Sequence, residues 1–104
     1  MRERDIEKWL RRQVESLGGL AFKFTSPGND GVPDRLAVLP GGLIYFVELK
    51  TDRGRLSPLQ VWQQDRRRQL GVNVAVIRGM EEAAEFIEEV RDAIHDEEEG
   101  GGAR

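Results

Sequence analysis

Ile6, Leu10, Val14 and Leu17 recur at three- and four-residue intervals with Trp9 beside them, and Gly18-Gly19 closes the run. That period predicts an amphipathic helix over roughly 3 to 17. Leu20 to Thr25 reads as a strand, and Ser26-Pro27-Gly28-Asn29-Asp30-Gly31 as a loop leading into Val32-Pro33. Asp34 to Leu39 and Leu43 to Lys50 are two further strands. Pro40-Gly41-Gly42 joins them as a hairpin turn, with glycines where positive φ is needed. Ser57-Pro58-Leu59-Gln60 carries Ser at an N-cap, Pro at the first helical position and Gln three residues after the cap, with Leu56 and Val61 placed for a hydrophobic staple. This helix should run to about Leu70, where Gly71 stops it, and Val72 to Ile77 follows as a buried-type strand. Ala83, Phe86, Ile87, Val90 and Ile94 mark a last amphipathic helix, and Trp9, Trp62 and Phe86 are expected in the core. The acidic, glycine-rich stretch from Asp96 has too little apolar surface to fold. The pattern is α-β-β-β-α-β-α, an α/β domain over 1–95 with a mixed sheet of about four strands flanked by helices, then a tail at 96–104 expected to be disordered.

Strand periodicity gives this pattern chemical content. Side chains alternate faces, so Glu48 and Lys50 point the same way, as do Asp34, Leu36 and Val38. If the loop holds three residues centred on Gly41, positions summing to 82 pair, and Asp34 stands opposite Glu48. Directly opposed carboxylates about 5 Å apart repel by roughly 3 kcal/mol at an effective dielectric near 20. Lys50 offsets part of this, and a hard divalent cation such as Mg²⁺ or Mn²⁺ would offset more. The plainer reading is a set of charge pairs at an exposed strand end, and a two- or four-residue loop would break the facing pair.

Composition narrows the options. The chain has 104 residues, no cysteine and a single histidine, His95. It is long enough for one core, and any metal must be held by oxygen ligands. The start of the chain carries alternating charges instead of an apolar leader, and no apolar run approaches the roughly 18 residues of a membrane span, so a cytoplasmic setting is expected. The net charge of −3 is unevenly spread. Residues 1–80 hold 14 Lys and Arg against 9 Asp and Glu, while 81–104 hold 2 against 10. The basic body suits a phosphate backbone, although a charge count alone does not separate that from ordinary solubility.

Gly31-Val32-Pro33-Asp34, Val47-Glu48-Leu49-Lys50 and Leu56-Ser57-Pro58-Leu59-Gln60 together resemble the successive signatures of the VRR-NUC family, a branch of the PD-(D/E)xK nucleases. The similarity runs from the first helix to about Gly79 and is strongest to stand-alone, phage- or prophage-borne members. The resemblance implies a restriction-endonuclease-like core and Mg²⁺- or Mn²⁺-dependent hydrolysis of DNA phosphodiester bonds. Asp34 and Glu48 would bind the metal with the backbone carbonyl of Leu49, and Lys50 would orient or deprotonate the attacking water. A helix-borne glutamate is also implied. Glu7, eleven residues before Gly18 and roughly 80° from the centre of the apolar stripe, is the choice, with Glu3 a rival. Gln60 matches the family's glutamine, but it would equally serve as the closing residue of a capping box. DNA contacts are expected from Arg53 and Arg55, with Lys23 and Arg35 as further candidates, whereas Arg66-Arg67-Arg68 reads as a solvated helix face.

Relatives of the stand-alone type imply a homodimer acting on branched DNA such as four-way junctions. A monomeric flap or nicking nuclease remains open, as do a non-catalytic nucleic-acid-binding module of the same fold and a small regulatory domain without nucleic acid.

Overall fold

A computed structural model describes residues 2–23, 35–50 and 55–101. Helix α1 spans Glu3–Ser16, strand β1 Leu20–Lys23, β2 Arg35–Leu39, β3 Leu43–Lys50, α2 Pro58–Gln69, β4 Asn73–Arg78 and α3 Gly79–Gly101. Element order and type follow the periodicity. α1 ends where predicted because Gly18 adopts φ 89°. The Gly19 and Gly18 amides then donate to the carbonyls of Val14 and Glu15, which closes the last turn without a side chain.

The sheet is mixed, in the order β1-β2-β3-β4, with β1-β2-β3 antiparallel and β4 parallel to β3. Leu39 pairs Leu43 and Arg35 pairs Val47, the register expected for a three-residue turn. Pro40–Gly42 forms that turn as a short 3₁₀ segment in which Gly41 takes φ 81°. A side chain at that φ would be strained. Asp34, the residue expected to face Glu48, lies outside the described residues, as do Thr25 and Arg53.

One face of the sheet carries the core. Ala37, Leu39, Val47, Leu49 and Ile77 meet Ile6, Leu10 and Val14 of α1 and Ala83, Phe86, Ile87, Val90 and Ile94 of α3. Trp9 packs against the edge of this cluster. Among the described residues, α2 alone covers the other face. Two expectations fail there. Trp62 is 60% exposed and not in the core. Of the three consecutive arginines, Arg67 is half-buried with its guanidinium over the Phe46 ring at 5.3 Å, so only Arg66 and Arg68 belong to the solvated side. Both corrections have one cause. The sheet-facing positions of α2 are polar, which rotates its apolar residues outward.

α3 also departs from expectation by continuing to Gly101, past Asp96. Glu97, Glu98 and Glu99 are good helix formers, so propagation from a docked helix costs little even after the apolar face ends. No helix among the described residues is long and apolar enough to cross a membrane.

Candidate active site

β3 delivers Glu48 and Lys50 to the face under α2. Glu48 is 2% exposed, and the Lys50 ammonium lies 3.8 Å from its Oε1. Burying a carboxylate is costly unless charge and hydrogen bonds compensate. Lys50 supplies the charge and Gln60 a hydrogen bond, its amide nitrogen donating to Glu48 Oε1.

The start of α2 holds Gln60 in place. The Ser57 hydroxyl accepts from the Gln60 backbone amide at 3.1 Å, and the Gln60 side-chain oxygen accepts from the Ser57 amide at 2.9 Å. Both halves of the capping box are present. The cap uses the acceptor end of the amide and Glu48 takes the donor end, so the two readings of Gln60 coexist in one side chain. Gln64, one turn further along the same side of α2, is 2% exposed. Sequence reasoning passed over it. The signal was Gln60, Gln64 and Arg67 at spacings of four and three, a polar stripe on the helix where an apolar one was sought.

Glu7 sits elsewhere. Its Oε1 lies 3.4 Å from Arg35 Nε, both side chains about four-fifths buried. With Glu3, Arg4, Lys23, Arg35 and Leu49 it lines an open cleft of about 300 Å³. Arg35 pairs Val47 in the sheet, so this cleft lies on the α1 side, whereas the Glu48 side chain projects to the α2 side. Glu48, Lys50 and Gln60 are thus brought together, while Glu7, Glu3, Lys23 and Arg35 gather around the next residue of the same strand. Among the described residues no group of three or more His, Cys, Asp or Glu side chains converges as a metal site. Arg55 is exposed just before α2.

No family model matches the chain. It is 47% identical over 77 residues to "Putative nuclease p44" of Acyrthosiphon pisum secondary endosymbiont phage 1, a match covering 74% of this chain and 83% of the relative. It also superposes with a TM-score of 0.77 on a solved structure described as a VRR_NUC domain. That neighbour is 36% identical, and the match covers 83% of this chain and 94% of the other. A mixed four-stranded sheet between helices, with Glu-x-Lys at the end of its third strand, is a nuclease fold of the PD-(D/E)xK type. The chain belongs to the VRR-NUC family of nucleases.

Proposed function

We propose that the chain is a Mg²⁺- or Mn²⁺-dependent endodeoxyribonuclease that cuts branched DNA, such as four-way junctions, as a homodimer. The observation that carries this reading is the buried Glu48 carboxylate held between Lys50 and Gln60. A side chain kept ionic and buried at a strand end costs stability, and such groups concentrate where chemistry needs them.

The donors around this strand end are hard oxygens, the Glu48 carboxylate and the Leu49 backbone carbonyl, and they suit a hard divalent cation. Asp34 immediately precedes β2, and one further step of the observed register would set it opposite Glu48 as the second carboxylate. Glu7 is proposed as a helix-borne ligand from the Leu49 side, which requires it to exchange Arg35 for the cation. A cation bound there supplies Lewis-acid polarisation of the scissile phosphate and a bound water of lowered pKa. Gln60 fixes the direction of the Glu48 carboxylate, since its own amide is clamped by the Ser57 cap. Lys50 reaches past Glu48 to orient the attacking water and to place positive charge where the phosphorane oxygens become more negative. Water attacks phosphorus, one P–O bond breaks, and the products are a phosphate monoester and a free hydroxyl. Arg55, beside α2, is proposed to hold the flanking backbone together with Arg53, and Lys23 and Arg35 to do so on the α1 side.

The test is incubation of the purified chain with labelled linear, flap and four-way-junction DNA, with Mg²⁺, Mn²⁺ or chelator. Cleavage of the branched substrates only with metal is expected. Glu48→Gln should abolish it without loss of DNA binding, and Lys50→Ala should slow it by about 10²-fold or more. No cutting of any substrate in either metal would overturn the reading, and wild-type turnover by Glu48→Gln would remove that residue from the site.

A further inference from the structure

α2 is turned inside out. Gln60, Gln64 and Arg67 take its sheet-facing positions, and its apolar residues face water. Leu59 is 44%, Val61 43%, Trp62 60% and Leu70 64% exposed. Val61 lies roughly 100° round the helix from Trp62 and Leu70 about two turns along it, so the Trp62 indole and Leu59, three residues apart, form one patch. Together they offer on the order of 200 Å² of apolar surface, far below the roughly 800 Å² per partner of a standard protein interface. A single planar ring is an occupant of matching size.

The patch sits among cations. Arg66, one turn from Trp62 on the same side, donates to the neutral Gln69 side chain at 3.4 Å and so keeps its charge. Asp65, the only carboxylate of α2, lies 3.4 Å from Arg68. Arg55 is exposed just before the helix. An exposed aromatic face among arginines, with the one nearby carboxylate neutralised, fits a nucleic-acid strand whose base stacks on the ring while its phosphates meet the cations. Trp62 is also tied to the reaction centre. Gln60, which donates to Glu48, stands two residues before it and on the opposite side of the helix. A helix with its side chains is about 10–12 Å across, or roughly three nucleotide steps of 3.4 Å along one strand. Inside a continuous duplex both faces of each base are covered by its neighbours. Only an unpaired base, at a flap or an opened branch point, has a face free for an indole.

We infer that Trp62 stacks on an unpaired base of the strand being cut, about three nucleotides from the scissile phosphate, and that Arg66 holds an adjoining phosphate. The inference rests on the reading of the chain as a nuclease for branched DNA and names the side chain that selects the branch. It is tested on the full chain with chelator present, so that nothing is cut, using labelled flap DNA and a continuous duplex of the same sequence. Affinity is read from the label and stacking from tryptophan emission. The chain has two tryptophans, and the other, Trp9, packs against the core. Flap DNA should quench the wild-type emission, and duplex should leave it nearly unchanged. Trp62→Phe should abolish the quenching yet keep affinity for flap DNA within about threefold, because a phenyl ring still stacks. Trp62→Ala should bind flap DNA about tenfold or more weakly, with no comparable loss on duplex. That selective loss should be the same at low and high salt, whereas the loss in Arg66→Gln should fall on both DNAs and shrink as salt rises. Trp62 is exposed, so melting of its variants should stay near wild type. Equal losses on flap and duplex for Trp62→Ala, or quenching that persists in Trp62→Phe, would overturn the stacking. Selective stacking by a chain that cuts nothing with Mg²⁺ or Mn²⁺ would leave the base site standing and sink the nuclease reading. Metal-dependent cleavage of branched DNA by Trp62→Ala at the wild-type rate and affinity would do the reverse.

Discussion

The two faces of this sheet are built on opposite rules. Toward α1 and α3 the chain buries Ala37, Leu39, Val47, Leu49 and Ile77 against two helices whose apolar residues keep a strict helical period. Toward α2 it buries Glu48 and Gln64, stacks Arg67 on Phe46 and leaves Leu20, Phe22 and Ile44 in the open. Burial on the first face contributes stability in proportion to apolar area removed from water. On the second, each buried polar group must first recover its own desolvation cost. The difference separates the apolar burial that holds the molecule together from the buried polar groups proposed to act on a substrate. It predicts that substitutions on the two faces fail in different measurements, one in melting and the other in cleavage.

The largest effect should come from the first face. Phe86 is 5% exposed and meets the Tyr45 ring edge-on, with centroids 5.3 Å apart. Phe86→Ala removes most of the ring from the centre of the layer and should cost about 3–5 kcal/mol, a large part of the stability of a domain this size. Urea or thermal denaturation reads it directly. A loss below about 1 kcal/mol would mean that the layer between α3 and the sheet is not the main core.

The second face can be probed through one side chain. In Gln60→Glu the new carboxylate still accepts from the Ser57 amide, so the helix start is kept. The donor to Glu48 becomes an acceptor, however, and two carboxylates at about 4 Å repel by about 4 kcal/mol at an effective dielectric near 20. Sharing a proton relieves part of that repulsion and leaves Glu48 less charged. Cleavage should therefore fall at least about tenfold while melting shifts only slightly, the reverse of Phe86→Ala. Unchanged cleavage would restrict Gln60 to its cap.

The legibility of the sequence divides along the same line. α1, α3 and the core were readable because apolar side chains recur every three or four residues, and the β2–β3 register was readable because Gly41 fixes a three-residue turn. Alternation along β3 put Glu48 and Lys50 on one face and capping chemistry put Gln60 at the start of α2, but their proposed roles came from the resemblance to VRR-NUC nucleases. The errors fall on α2, where the assumption that apolar residues face inward put Trp62 in the core and turned Arg67 to solvent. Gln64 was overlooked for the same reason. The reach of Glu7 was not legible either, because a helical wheel gives its direction but not Arg35 as its partner on the α1 side. The end of α3 was misjudged because loss of the apolar stripe was equated with loss of the helix.

The smallest predicted effect concerns Tyr45, a phenol packed against the core layer beside Phe86. Burial raises its pKa above the usual value of 10.0, and the nearby Glu89 carboxylate raises it further, since both penalise the phenolate. The folded state therefore holds the phenolic proton more tightly than the unfolded chain does. Below the unfolded value the neutral phenol is present in both states and the fold keeps its full stability. As pH rises above about 10 the unfolded chain ionises first, and that stability is progressively lost until the folded pKa is passed. Tyr45→Phe removes the titrating group but keeps the ring on Phe86, so the variant should lose less stability than wild type between pH 8 and pH 11. Comparing the two proteins cancels lysine titration, which is common to both. Replacing Glu89 by Gln should give an intermediate result, because burial, the larger cause, remains. The measurement is the melting temperature of the three proteins across that range. Parallel curves for wild type and Tyr45→Phe would show that the hydroxyl reaches water freely in the folded protein.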